Sequence, residues 1–433
     1  MNCRICIALF ALLPFTNVRA QEKLSLKDAI SIVLEKNYDV QIAKTVKQTA
    51  ELNTTAGAAG MLPGVNVEGG YNRTDLNLSQ KLSDGRVIER DAASSETYSA
   101  AVRLNWVLFD GMAMFIRKSR LAGENKAAEL SLRIQMENSI QKVIAAYYAV
   151  QLEEQRIKAL QELIRVDSIR VQLSSVRLES GNGSKLDLLN ARLDQNTHMA
   201  QLLQEQSQLS AQQENLNLLL NRDPLTTFTT ADELTLTDIR ADESTRNNDA
   251  TLILAGQQEQ TAFQWLKETK SGRMPTLSFN ASYTYNQTEN EAGFLLKNRN
   301  DGPGFGLNVQ WNLFDGFRTS RAVKTAEFNY TISRLRNQQE QLIRQQSESK
   351  LQRNYALQRE LVRTSALSKN YAEEILLIAT ERLKSGLSTT LEITAAQRDF
   401  EDASTQLFEA SYQAKLTETE ILKLTGKLMS ANP

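Results

Sequence analysis

Two acidic side chains stand at matching places after two glycines, and they are the residues of this chain best placed to act chemically. Asp187 lies six residues after Gly181, and Glu392 lies six residues after Gly386. A ring of such carboxylates at a pore mouth would favour the entry of cations. Alternatively, each acid stabilises the first turn of a helix, which contributes about 0.3–1 kcal/mol. The residues alone leave both interpretations open.

The sequence contains few of the histidine and cysteine residues that other catalytic or metal sites would need. The single histidine is His198, which we interpret as a solvated helix residue, and the two cysteines are Cys3 and Cys6. One histidine and so few cysteines argue against a thiol nucleophile and against most zinc sites. The Asp and Glu residues are interspersed with Lys and Arg at helical spacing, which is typical of a solvated coiled-coil surface. We therefore expect neither an enzyme nor a cofactor or metal site.

An internal repeat relates the two acids. Residues 104–111 read LNWVLFDG and residues 309–316 read VQWNLFDG, an offset of 205. The same offset relates RLESG at 177–181 to RLKSG at 382–386. An offset that persists over about seventy residues predicts two structural copies.

Each LFDG ends a stretch in which apolar and polar side chains alternate. The strand pairs are predicted at about 65–72 with 98–108 and at about 277–286 with 305–313, with a polar loop at about 73–96. One apolar and one fully polar face are typical of membrane-barrel strands around an aqueous lumen. A soluble sandwich, whose polar face meets solvent, is the alternative. Trp106 and Trp311, near matching strand ends, suit an interfacial aromatic girdle.

Long helices follow each LFDG. Residues 112–223 and 304–432 contain no proline that would break a helix. Apolar residues at coiled-coil spacing predict helical hairpins over 112–221 and 317–425, each turning at its glycine. Shorter helices are predicted at 24–37, about 38–60 and about 248–271.

The N-terminal residues have the pattern of a secretory signal peptide. Arg4 precedes an apolar run, and Val18-Arg19-Ala20 provides a cleavage site, so residues 1–20 are predicted to be removed. A transmembrane anchor is the alternative, but the run is too short to cross a bilayer. Removal takes away two of the 50 basic and none of the 51 acidic residues. The near balance that remains gives no support to nucleic-acid binding.

The predicted organisation combines these segments. It comprises a signal peptide at 1–20, a first repeat at 21–223, a connecting segment at 224–246, a second repeat at 247–428 and a C-terminal tail at 429–433.

These motifs together resemble the TolC-like outer membrane efflux protein family. The resemblance is carried by W-x-LFDG twice, by a proline before each strand pair (Pro63 and Pro275), and by R-L-x-S-G followed by L-[DE] at each tip. It implies a mixed α and β membrane protein with an internal two-fold repeat. Three copies would each give four amphipathic strands to a twelve-stranded outer-membrane β-barrel, and long antiparallel coiled-coil helices to a periplasmic α-barrel.

The resemblance also implies partners. A homotrimer would sit in outer-membrane lipid with its helical part in the periplasm, and would receive substrates from an inner-membrane pump through a periplasmic adaptor. The adaptor would dock at the tips, on Arg177, Gly181, Leu186, Arg382, Gly386 and Leu391. A non-channel periplasmic coiled-coil adaptor or scaffold is the alternative, although an adaptor would carry one helical hairpin rather than two.

The family's gate acids correspond to Asp187 and Glu392 of this sequence. Where members of the family carry a second acid, this chain has Ala395, and where they carry a basic residue it has Ser388.

Overall fold

A computed structural model describes residues 22–237 and 248–431 of the chain. The predicted signal peptide, part of the predicted connecting segment and the last two residues of the predicted tail lie outside the described residues. The described residues belong to two compact units, one drawn from Met1–Gln41, Met136–Arg246 and Glu348–Pro433, and the other from Ile42–Gln135 and Asn247–Ser347.

The described residues form helices and strands in alternation. The helices are α1 (Leu26–Lys36), α2 (Tyr38–Leu52), α3 (Ala113–Glu179), α4 (Lys185–Leu219), α5 (Ala250–Ser271), α6 (Arg318–Lys384), α7 (Thr390–Leu424) and α8 (Leu428–Ala431). The strands are β1 (Glu22–Leu24), β2 (Gly64–Lys81), β3 (Val87–Phe109), β4 (Phe228–Thr230), β5 (Thr276–Asn290) and β6 (Lys297–Gln310).

The four long helices match in pairs. The bounds of α3 and α6 differ by 205 residues, and so do those of α4 and α7. None of the four contains a proline, the residue that would break the helical hydrogen-bond ladder. Among the described residues, no helix is both long enough and apolar enough to cross a membrane.

The second unit contains a four-stranded sheet. Its strand order is β2-β3-β5-β6, and all three pairings are antiparallel. Because side chains alternate between the two faces of a strand, the apolar residues of β5 and β6 share one face and the polar residues share the other. Leu277, for example, is opposite Val309, and Ser278 is opposite Asn308.

The strands are longer than the side-chain alternation predicts. The predicted polar loop at 73–96 is wrong, since β2 continues to Lys81 and β3 begins at Val87. Ladder hydrogen bonds join main chains and do not require alternating polarity, so pairing continues until the turn at which Leu82 N donates to Arg86 O at 2.8 Å.

The last predicted strand is displaced. The sequence predicts it over 305–313, but β6 starts at Lys297 and ends at Gln310. Gln310 is opposite Thr276, the first residue of β5, so β5 offers no main chain to pair with residues 311–313. The predicted helix at 38–60 also ends early, at Leu52, and residues 53–60 form turns.

The first unit has its core around Tyr147. The core includes Leu24, Ile30, Val33, Ile140, Val143, Leu216, Leu220, Phe228 and Leu428. The Tyr147 hydroxyl lies 2.9 Å from Leu24 O and 3.0 Å from Asp232 Oδ2, and it accepts hydrogen bonds from Ala231 N and Asp232 N. These bonds hold the parallel ladder of β1 and β4, which the sequence did not predict.

Candidate functional site at the hairpin tips

The turn of the first hairpin is closed by its own backbone. Asn182 N donates to Arg177 O at 2.9 Å, and Gly181 N donates to Leu178 O at 3.1 Å. Gly181 has a φ of +73°. This is the Schellman pattern, in which a left-handed residue ends the helix and glycine meets the least strain.

The turn of the second hairpin has the same bonds 205 residues later. Leu387 N donates to Arg382 O at 2.8 Å, Gly386 N donates to Leu383 O at 3.1 Å, and Gly386 has a φ of +76°. The two tips therefore have the same local geometry, and the conformation itself accounts for glycine at both positions.

Arg177 joins the two tips. Its Nη2 donates to Leu383 O in the second hairpin at 3.3 Å. The same nitrogen lies 3.5 Å from the point that a Cβ on Gly386 would occupy. The predicted docking residues Arg177 and Gly386 thus lie near each other, while Leu186 and Leu391 are exposed in the first turns of α4 and α7.

Asp187 lies where the two returning helices begin. It is in the first turn of α4, whose N-cap, Ser184, accepts a hydrogen bond from Leu186 N. The Thr390 hydroxyl of the second hairpin donates to Asp187 Oδ1 at 3.4 Å. The carboxylate therefore faces the start of α7 as well as its own helix.

Glu392 occupies the third position of α7 in a capping box. Thr389 Oγ1 accepts from Glu392 N at 3.2 Å, and Ser388 Oγ donates to Glu392 Oε2 at 2.7 Å. These donors hold the pKa of Glu392 below its ordinary value: the Ser388 hydroxyl contributes most, then the Thr389 backbone N–H, and then Arg382 at 3.9 Å. A capping box satisfies free N–H groups at a helix start. Glu392 thus has a helix-terminus role, and about half of its side chain remains exposed.

A buried polar cluster lies farther along the hairpins, and the interpretation of His198 as solvated is wrong. His198 Nδ1 lies 2.6 Å from Asp167 Oδ2, and the side chain is only 12% exposed. Gln397 Nε2 donates to Asp167 Oδ1 at 2.7 Å, and Arg170 donates to Gln397 Oε1 and to Asp194. The hydrogen bond to Asp167 raises the pKa of His198 against the opposing effect of burial.

The LFDG motif forms the joint between strand and helix. Asp110 Oδ1 accepts from Met114 N at 3.0 Å, and Asp315 Oδ2 accepts from Thr319 N at 2.9 Å. Each aspartate thereby satisfies a free N–H at the start of its long helix. Gly111 and Gly316, which follow the aspartates, have φ values of +70° and +67°.

The two tryptophans bind back to the backbone near these joints. Trp106 Nε1 donates to Met61 O at 2.9 Å, and Trp311 Nε1 donates to Arg273 O at 3.1 Å. Each acceptor stands two residues before the proline that precedes a strand. The bonds give both residues a structural role. In the part of the chain that the structure describes, no group of three or more His, Cys, Asp or Glu side chains is placed to hold a metal ion.

Two helical hairpins thus alternate along the chain with the strand pairs of an antiparallel sheet that has one apolar and one polar face. The model of the family "Outer membrane efflux protein" matches residues 29–222 and 243–427. The chain therefore belongs to the outer membrane efflux protein family, as its motifs predicted.

Relatives agree with this assignment. The chain is 24% identical over 332 residues to the outer membrane efflux protein BepC of Brucella suis biovar 1 (strain 1330), covering 75% of this chain and 69% of that protein. It is 21% identical over 351 residues to the proteases secretion protein PrtF of Dickeya chrysanthemi, covering 78% and 74%.

Solved structures share the fold. The outer membrane protein VceC of Vibrio cholerae superposes with a TM-score of 0.73 at 17% identity, covering 93% of this chain and 96% of that one. The CmeC outer membrane channel of Campylobacter jejuni superposes with a TM-score of 0.79 at 14% identity, covering 99% and 94%.

Family membership decides between the two functions that the sequence left open. The chain is an efflux channel protein of the outer membrane. It is not an enzyme. The alternative of a non-channel adaptor or scaffold is wrong.

Proposed function

We propose that three copies of this chain form the exit duct of a tripartite efflux or type I secretion system. Each copy would contribute β2, β3, β5 and β6 to a twelve-stranded barrel and its four long helices to a periplasmic α-barrel. The two halves, 21–223 and 247–428, would occupy equivalent places around the duct. Four strands cannot close a barrel, and about eight strands make one whose interior is just filled by side chains. An open lumen therefore needs at least three chains.

The open sheet is the observation that carries this proposal. Among the described residues, β2 and β6 each pair along one edge only. Long unpaired edges are prone to aggregation, and closure into a barrel removes them. Copies of the same chain, placed edge to edge, supply that closure.

The two faces of the sheet suit a membrane barrel. The apolar face, which includes Phe305, Leu307 and Val309, is highly exposed in the single chain and would contact outer-membrane lipid. The polar face, which includes Ser278 and Asn308, would line the lumen. Trp106 and Trp311 would lie at the membrane interface.

The hairpin tips would dock a periplasmic adaptor that links the duct to an inner-membrane pump. Leu186 and Leu391 support this, because each presents an exposed apolar side chain beside the arginine-bearing turns. BepC is named as an efflux protein and PrtF as a protease secretion protein, so relatives serve both kinds of export.

Asp187 and Glu392 would each occur three times around the axis near the periplasmic mouth. Carboxylates arranged in this way would favour cation entry and would bind multivalent cations. The helix-terminus bonds of Glu392 are compatible with this role, because about half of its side chain is still exposed.

Photo-cross-linking in cells tests the docking surface. A photoreactive phenylalanine analogue replaces Leu186 or Leu391, and a control places it at Leu225, which is equally apolar and exposed but lies beyond α4. We expect light-dependent adducts with an adaptor protein, identified by mass spectrometry, at the two tip positions only. Absence of adducts at both tips of outer-membrane-inserted protein, or equal adducts at Leu225, would contradict the docking proposal.

A further inference from the structure

We propose that β6 of one copy pairs with β2 of a second copy in one defined register, in which Leu307 faces Tyr71 and Gly306 faces Asn72. This inference rests on the proposed trimer and adds to it the identity of the paired residues.

The pairing of β5 with β6 repeats the pairing of β2 with β3, residue for residue. Residues of β5 correspond to residues of β2 at an offset of 212, which is the offset between Pro63 and Pro275. Residues of β6 correspond to residues of β3 at an offset of 205. Applied to the pair Gly64 and Asn105 in β2 and β3, these offsets give Thr276 and Gln310, which are paired in β5 and β6.

Within one chain, β3 of the first repeat pairs with β5 of the second. Applying the same offsets to this pairing predicts how the two open edges, β6 and β2, pair between copies. Val102 is opposite Tyr283. Adding 205 to position 102 gives Leu307 of β6, and subtracting 212 from position 283 gives Tyr71 of β2. Leu307 is therefore expected opposite Tyr71. The pair Ala101 and Thr284 likewise gives Gly306 opposite Asn72.

The space beside Gly316 also fits this register. A Cβ on Gly111 would lie 2.6 Å from Met274 Cβ and 2.7 Å from Ser271 O, because the residues preceding β5 pack against it. A Cβ on Gly316 would meet nothing within 4 Å. The offset of 212 relates Met274 to Leu62, which precedes β2 and is exposed in the single chain, and so assigns the space beside Gly316 to Leu62 of the second copy.

The apolar side chains of the second LFDG are about twice as exposed as those of the first. Leu108 and Phe109 are each 37% exposed, whereas Leu313 is 80% and Phe314 is 75% exposed. Phe109 still pairs with Leu277 of β5. In the proposed register, β2 of the second copy covers Leu313 and Phe314 as β5 covers their counterparts.

The register also matches polarity across the interface. Leu307 with Tyr71 and Trp311 with Val67 place apolar residues on the lipid face, and Gly306 with Asn72 falls on the lumen face. A slip of one residue would put apolar side chains opposite polar ones, because side chains alternate with a period of two. A slip of two residues preserves the faces but removes the fit at Gly316.

Disulfide cross-linking in outer membranes tests the register. Cys3 and Cys6 are the only cysteines of the chain, and both lie in the predicted signal peptide. Asn72→Cys is combined with Gly306→Cys, the proposed partner, or with Gly304→Cys or Asn308→Cys, each shifted by two residues. A two-residue shift moves the partner by about 7 Å along the strand. A disulfide requires Cα atoms about 4.4–6.8 Å apart.

An intrachain pair calibrates the chemistry. Ala101→Cys with Thr284→Cys is the equivalent pair within one chain and should oxidise without linking chains. We expect covalent dimers and trimers on non-reducing gels for Asn72→Cys with Gly306→Cys, at a yield several-fold above either shifted pair. Stronger cross-linking of a shifted pair would overturn the register while leaving the oligomer intact. If no pair links chains while the intrachain control oxidises, the proposed trimeric barrel fails as well.

Discussion

Phe279 on β5 lies directly opposite Leu307 on β6. The neighbouring positions, Ser278 and Asn308, also form a direct pair, but on the other face of the sheet. The two pairs are adjacent in the ladder and differ in the surface they meet, so they provide a matched test of the membrane assignment.

Arginine on the apolar face should impair assembly. Leu307→Arg or Phe279→Arg places a charge against lipid at a cost of about 2–4 kcal/mol near the midplane. Asn308→Arg and Ser278→Arg place the same charge in the aqueous lumen and should assemble normally. Heat-modifiable gel migration of outer-membrane fractions measures the difference. Equal assembly of both sets would contradict the lipid-facing assignment.

Glu392→Gln should weaken cation selectivity in planar bilayers and reduce block by divalent or trivalent cations. The pKa of Glu392 is lowered, so its carboxylate remains charged at pH values at which an ordinary glutamate takes up a proton. Acid should remove this selectivity as Glu392 takes up a proton, and that acid-induced loss should be missing in Glu392→Gln.

The same measurements of cation selectivity and block are made on Asp187→Asn. Trimer assembly should be intact in both variants, because neither substitution touches the sheet. If selectivity and block are unchanged in both variants, the helix-terminus role is the better account of these acids.

Glu153 on α3 should make the helical part sensitive to pH. Burial and the nearby Glu205 raise the pKa of Glu153 to about 7, although Arg156 opposes the shift. Because the folded-state pKa exceeds the unfolded one, the contribution to stability is complete below about pH 4.5 and is lost as the pH rises through about 7.

Glu153→Gln carries no titrating proton and should escape this loss. We expect its melting temperature to exceed that of the unmodified protein by at least about 2 °C at pH 8 and to match it near pH 5. Calorimetry at both pH values makes the comparison. A difference that is the same at both would contradict the assignment of the titration to Glu153.

Tyr147→Phe should destabilise the first unit. The substitution removes the bonds of the buried Tyr147 hydroxyl to Leu24 O and Asp232 Oδ2 and the acceptor of Asp232 N–H, and a typical hydrogen bond contributes about 0.5–1.5 kcal/mol to stability. Ala231 N–H keeps Leu24 O as an acceptor at 3.0 Å. Tyr371→Phe, at an exposed position on α6, is the control and should be nearly neutral. Denaturant unfolding followed by circular dichroism gives the free energy of unfolding; equal values for both variants would contradict the role of the Tyr147 hydroxyl.

Features with local signals could be predicted from the sequence, and the hairpin turns are the clearest example. Gly181 and Gly386 end their helices because a short-range pattern of backbone bonds needs a left-handed residue. The extent of β2 and β3 between residues 73 and 97 could not be predicted in this way, since it depends on a partner strand rather than on side-chain alternation.

Long-range contacts account for the other misses. The β1–β4 ladder pairs residues that are about two hundred positions apart, and Tyr147, which fixes it, occurs in a sequence like that of any helical seam. The burial of His198 could not be predicted because its partner, Asp167, lies on α3 and is itself held by Gln397 on α7. The spacing of residues within one helix does not reveal which residues of other helices pack against it.

Native mass measurement of the protein extracted from outer membranes in mild detergent tests the central claim most directly. The open four-stranded sheet leads us to predict a single species with the mass of three chains, and this species should be the one that conducts ions when reconstituted. A stable monomer or dimer as the conducting species would contradict the account.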